Sequence, residues 1–236
     1  MADKYSLTLK IDELSLKIIK AVQLKVTLAK PLGQQGPNVI WMVFNPIENN
    51  TIEWPDEFGI YASPNKTIEN GTVISKISEV FPAQDGDYYS FDSSAAFKGP
   101  FIDGGAPMSG QYKINNNMPQ SSYPKLTFGL EQIASINGIG VNPTTINAII
   151  LPAEFSVLFS PLNTILVWLQ WQFTSGTIIT SVNGDATAVT FGGGITDQTL
   201  TYNPLTGRFV ASSEEGKMLA ENEAPHVKIL RRPGIY

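Results

Sequence analysis

Runs of apolar residues at period two dominate the chain. Tyr5, Leu7, Leu9 and Ile11 alternate with polar neighbours over 5–11, which predicts a half-buried strand. Val26 and Leu28 resume the alternation, and 39–44 (VIWMVF) reads as a buried strand ended by Asn45-Pro46. A further short strand is expected over 51–54. The densest apolar stretch, 146–173, is divided by Pro152 and Pro161 into strands near 146–151, 154–159 and 164–173. In the last of these Val167, Leu169, Trp171 and Phe173 share one face while Leu166 and Trp168 share the other. That pattern predicts a central strand covered on both sides. The stretch is therefore expected to be the centre of the core, with Trp168 and Trp171 buried in it. The alternative for either indole is a ligand site or a membrane interface, where amphipathic rings are favoured.

One segment has helical spacing. Asp12 suits an N-cap, and Leu14, Ile18 and Val22, with Ile19 beside them, predict a helix over 12–23 whose apolar face covers the sheet, with an all-strand reading of 14–30 as the alternative. Over 72–81 β-branching favours a strand. The glycine- and proline-rich span 82–124 predicts short strands at 88–91, 97–102 and 111–114 joined by long loops. A further strand pair or one long strand over 126–136 closes at Asn137-Gly138, and Asn183-Gly184 predicts a hairpin over 174–191. Residues 200–202 and 209–210 should pair across the turn at 203–207, with a last strand at 227–230. The sum is a single mainly-β domain over 1–236, a β-sandwich or jelly-roll-like barrel with one short N-terminal helix.

Composition narrows the chemistry. The 236 residues contain no cysteine, which excludes disulfides, thiolate metal sites and a cysteine nucleophile. A net charge of −5 without a basic run argues against nucleic acid as a partner. The prolines together with Glu154, Asn163 and Gln170 break the apolar stretch too often for a transmembrane span. The start, MADKYSLTLK, has no apolar h-region, so a cytoplasmic protein, or one exported without a classical signal peptide, is expected. The N-x-T sequons at Asn49, Asn65 and Asn70 are then chance occurrences.

Motif chemistry is sparse. His226, the one histidine, lies in a polar tail and lacks the partners a Ser-His-Asp system or a zinc site needs. Asp85-Gly86-Asp87, with Asp92 beyond it, has alternating carboxylates but not the spacing of a calcium loop, and a turn is the simpler reading. Gly192-Gly193-Gly194 lacks the Lys-Ser/Thr of a phosphate loop. Among the acids Glu48, Glu53, Asp56, Glu57, Glu131 and Asp185 no spacing selects a catalytic pair. No cofactor, metal or catalytic residue is assigned, and no motif assigns a family.

What remains is aromatic and amide chemistry in the turn-rich span. Free-standing rings near Asn, Asp and Gln suit sugar recognition: the ring stacks on the sugar face and the amides take hydroxyls. The expected ligand-binding residues are Tyr88, Tyr89, Asp92, Tyr112, Asn115 and Tyr123. The leading expectation is thus a non-enzymatic, lectin-like binding protein for a glycan or another surface ligand, with homo-oligomers possible. One alternative is a membrane-active, pore-forming or insecticidal-type toxin that inserts the 174–191 hairpin, although adjacent Ile178 and Ile179 spoil its alternation. The other is a carboxylate-dependent hydrolase or cyclase in a β-barrel.

Overall fold

The computed structural model describes residues 3–31, 36–102, 109–182 and 186–211 in full, together with the backbone of 228–231. In chain order the first half runs β1 (Lys4–Lys10), α1 (Glu13–Ala21), β2 (Lys25–Ala29), β3 (Ile40–Phe44), β4 (Asn49–Pro55), β5 (Gly59–Ser63), β6 (Ser78–Val80), β7 (Tyr88–Phe91), β8 (Phe97–Phe101) and β9 (Tyr112–Asn116). The second half runs β10 (Lys125–Ile136), β11 (Ile139–Thr145), β12 (Ile149–Pro152), β13 (Phe155–Phe159), β14 (Thr164–Gln170), β15 (Thr187–Thr190), β16 (Asp197–Asn203), β17 (Arg208–Ala211) and β18 (Lys228–Arg231).

The strands make three sheets. A nine-stranded sheet follows the order β17-β16-β1-β4-β10-β5-β6, with β11 and β12 also paired to β10. A five-stranded sheet runs β18-β13-β9-β7-β8 and a four-stranded one β15-β14-β2-β3. Most pairs are antiparallel, but β1 pairs with β16 and β7 with β9 in parallel. One apolar core takes side chains from all three sheets, among them Leu7, Phe128, Val26, Val167, Phe91 and Val157. The layers are sandwich-like. Each sheet ends in edge strands, so the jelly-roll barrel alternative is not realised as a closed barrel.

The hub is β10, not the 146–173 stretch. Its twelve residues pair with β4, β5, β11 and β12, and Leu126, Phe128 and Leu130 are sealed in the core. Its opposite face is crossed so closely that Gly129 admits no side chain. A Cβ there would lie 2.2 Å from the Asn147 carbonyl oxygen and 2.6 Å from the Tyr61 ring. The Tyr61 hydroxyl donates to that same carbonyl at 2.6 Å.

Three expectations are corrected. The helix forms, and the Asp12 carboxylate accepts from the Ser15 amide at 2.9 Å, but its buried residues are Ser15, Leu16 and Ile19. The stripe Leu14, Ile18, Val22 faces out. Two apolar stripes compete on this helix, and small Ser15 beside Ile19 lets the second lie closer to the sheet. Among the described residues the arms of the predicted 174–191 hairpin do not pair with each other. Over 174–182 the chain makes isolated bridges, Val39 to Ile178 and Val73 to Thr177, and only β15 is a strand, paired to β14. Asn183-Gly184 lies outside the described residues. Asn137-Gly138 instead makes the tight hairpin, joining β10 to β11 with φ of 53° and 79°, as a two-residue loop of this type requires. Thirdly, β14 ends at Gln170, three residues before its predicted end.

Candidate functional site

That early ending builds the candidate site. The two faces of β14 are covered as its pattern predicts: Ile165 and Val167 face the main core, and Trp168 joins Ala29, Ile40 and Ile179 in a second cluster. At Gln170 the chain turns, and the Gln170 amide fixes the turn. Its Oε1 accepts from the Gln172 amide and, at 2.8 Å, from that of Phe173. Its Nε2 donates to Thr27 Oγ1 and the Phe173 carbonyl, both at 3.0 Å. Phe173 therefore tucks back against the second cluster, while Trp171 is thrown outward and 71% exposed. The expectation that Trp171 is buried is overturned, because the strand that would carry it inward stops one residue earlier.

Trp171 stands over a cleft of about 310 Å3 lined also by Leu24, Trp168, Gln172, Phe173 and Ser181. Leu24 is shared with a neighbouring hollow of about 520 Å3 bordered by Lys20, Gln23, Lys25, Asn45 and Ile47. Strand register explains the proximity. Lys25 pairs with Gln170 and Val26 with Phe44, so the α1–β2 turn, the β3–β4 connection and the turn after β14 leave the four-stranded sheet at one end. An exposed indole, amides and ammonium groups suit stacking and hydrogen bonding. Neither hollow is lined by a carboxylate or histidine that would serve acid–base catalysis.

The residues expected from sequence fall elsewhere. Tyr88 is half-buried, its ring 5.3 Å from that of Phe101 and beneath Lys113 Nζ at 5.7 Å. Tyr89 and Tyr112 are buried; the Tyr89 hydroxyl accepts from the Gln84 amide at 2.8 Å, and the Tyr112 ring packs 5.8 Å from that of Phe58. Asn115 is buried too, its Oδ1 accepting from Ser156 Oγ at 2.6 Å. Asp92 is held down to about pKa 2 by its bonds to Lys98 and Ser94. Tyr123 is exposed in the turn that follows Pro119. Parallel β7 and β9 bring Tyr88, Tyr89 and Asn115 onto neighbouring strands, yet only Tyr88 and Tyr123 keep ring surface.

Three of the acids singled out from sequence, Glu131, Glu53 and Asp56, are set against lysines. Glu131 is fully buried; burial raises its pKa, opposed by Lys76, whose Nζ lies 2.6 Å away and also meets Glu79. Glu53 pairs with Lys4 at 2.8 Å. Asp56 is raised by burial and lowered by Lys30. Asp85 closes a loop by accepting from Ser109 Oγ and the Gly110 amide. Gly192 and Ile195 bond to each other across a tight turn. His226 and Asp185 lie outside the described residues, among which no cluster of three metal-ligating side chains occurs.

The most unusual ionisable group is Lys30, buried next to β2. Its Nζ has no hydrogen-bond partner among the described residues and lies 4.8, 5.5 and 5.4 Å from the ring centres of Trp41, Trp54 and Phe58. Burial drives its pKa from 10.5 to about 7, against the opposing pull of Asp56. This amine is sealed inside the core and does not reach the Trp171 cleft.

No protein family, curated protein or solved structure matches the chain. The functional reading therefore rests on the site's own geometry.

Proposed function

We propose that the protein is a non-enzymatic binding protein that recognises a glycan at the end of the four-stranded sheet, with Trp171 as its stacking platform. The observation that carries this reading is the exposed indole over a cleft, on a turn whose backbone is pinned by Gln170. A turn held by Gln170 lowers the backbone-ordering cost of binding. The indole face would meet the C–H face of a pyranose, while Gln172 in the same cleft and, across Leu24, Gln23 and Asn45 at the next hollow offer amides to its hydroxyls. A glycan array followed by calorimetry tests it. Expected is a ligand whose affinity falls at least about tenfold in Trp171→Ala, the usual scale for an aromatic anchor. No glycan binding across a broad panel would overturn the reading.

A further inference from the structure

The two hollows at the end of the four-stranded sheet differ in character. The one under Trp171 is lined by rings and amides, while the one across Leu24 carries two lysines, Lys20 and Lys25. No aspartate or glutamate lines either hollow, on a chain of net charge −5. Neither lysine enters an ion pair among the described residues, whereas Lys4, Lys17, Lys76 and Lys98 each do.

The backbone brings both ammonium groups to the junction. Lys25 is the cross-strand partner of Gln170, the residue before Trp171, which sets their Cβ atoms about 5 Å apart. Lys20 stands one turn beyond Leu16, on the flank of α1 that adjoins its buried stripe. The helix also ends here, and free C-terminal carbonyls would repel an anion. They are taken: the carbonyls of Ile18, Lys20 and Ile19 accept from the amides of Val22, Gln23 and Leu24 at 3.1, 3.1 and 3.0 Å. Gln23 makes this closure in a left-handed conformation, φ 58°, where glycine is the usual residue, so an amide side chain stands at the hollow instead.

Unpaired ammonium groups beside a stacking ring and free amides suit an anionic group carried on a sugar. We propose that the ligand of this end of the molecule is an acidic oligosaccharide, one pyranose lying on Trp171 and a carboxylate or sulfate on a neighbouring unit meeting Lys20 and Lys25 across Leu24. The proposal rests on the glycan reading of the Trp171 cleft and adds the charge of the ligand to it. Lysines are point charges without the fork that selects a planar anion, so the hollow admits either anionic group.

The test is calorimetry of the full chain with a galacturonate tetramer and its methyl ester, and with a sulfated galactose tetramer and its desulfated form. At least one acidic member should bind about tenfold more tightly than its neutral counterpart, since an exposed charge contact is worth up to about fivefold and two are made. The difference should shrink at about 1 M salt, where charges are screened beyond about 3 Å. Lys20→Gln with Lys25→Gln should abolish it at unchanged melting temperature, and Lys20→Arg with Lys25→Arg should keep it. Equal affinity for acidic and neutral members, or a preference that survives the glutamine pair, overturns the proposal and leaves stacking on Trp171 intact. An acidic probe held through the lysines but indifferent to Trp171→Ala also overturns it, since the anion alone is then recognised. Binding by none of the four does so too; a neutral array glycan held through Trp171 then keeps the glycan reading, and an empty array removes both.

Discussion

Replacing Lys30 by methionine should make the protein more stable. The side chain buries an amine with no hydrogen-bond partner among the described residues, against the rings of Trp41, Trp54 and Phe58. A pKa moved from 10.5 to about 7 corresponds to about 5 kcal/mol against burying the charged form. Ring faces return part of this, on the order of 2 kcal/mol for a desolvated ammonium. Methionine keeps the length of the stem, removes the amine and contacts the same rings favourably. A net gain of about 2–3 kcal/mol at pH 7 is expected in urea unfolding. The sign with pH follows from linkage. Between the folded and unfolded pKa the unfolded chain binds the extra proton, so wild-type stability rises with pH. The rise between pH 7 and pH 9 should be about 2 kcal/mol, from a limiting slope of about 1.4 kcal/mol per pH unit for one proton. In Lys30→Met that rise should vanish. The window must stop near pH 9, because Tyr5, Tyr61, Tyr89 and Tyr112 are all raised by burial and reverse the trend above their ordinary value of 10.0. A wild type whose stability is flat or falling from pH 7 to 9, or a methionine variant that is less stable, would refute the reasoning.

Trp171→Ala should leave the unfolding midpoint within about 0.5 kcal/mol of wild type, as for an exposed side chain, whereas a buried indole would cost about 3–5 kcal/mol. Gly129→Ala should destabilise by about 2–4 kcal/mol, because a Cβ there must displace backbone at Asn147, and a near-neutral melting temperature would contradict that contact. Lys76→Met leaves the Glu131 carboxylate buried without its cation and should cost about 3 kcal/mol at neutral pH. Burial raises the folded pKa of Glu131, so the loss should shrink below its ordinary value of 4.5, where both states are protonated; a loss independent of pH would show that packing alone is responsible.

Most strand positions were legible in the alternation of apolar residues. Tyr5, Leu7 and Leu9, the VIWMVF strand and the two covered faces of β14 all follow their pattern, since burying one face is what makes a strand pair stably. β11 carried no such signal, because IGVNPTT lies largely at the surface and is recruited by the Asn137-Gly138 turn and by β10. The face of α1 was read in reverse. Periodicity detects an apolar stripe, but when there are two only the shape of the sheet beneath decides which is buried. The same limit hid the site. A tryptophan continuing a buried strand looks like core, and the Gln170 amide that ends the strand bonds Gln172 and Phe173 beside it and is itself tied to Thr27, far away in sequence. For Tyr89, Tyr112 and Asn115 a turn-rich composition does not reveal that their own strands are covered.

Recognition is proposed at the Trp171 end of the four-stranded sheet. Calorimetric titration of the best array glycan into wild type, Trp171→Ala and a Tyr88→Ala/Tyr123→Ala variant tests it most directly. Trp171→Ala should lose at least about tenfold in affinity at unchanged melting temperature while the tyrosine variant binds as wild type. Full binding by Trp171→Ala, with the loss confined to the tyrosine variant, would contradict it and return the site to the 82–124 loops.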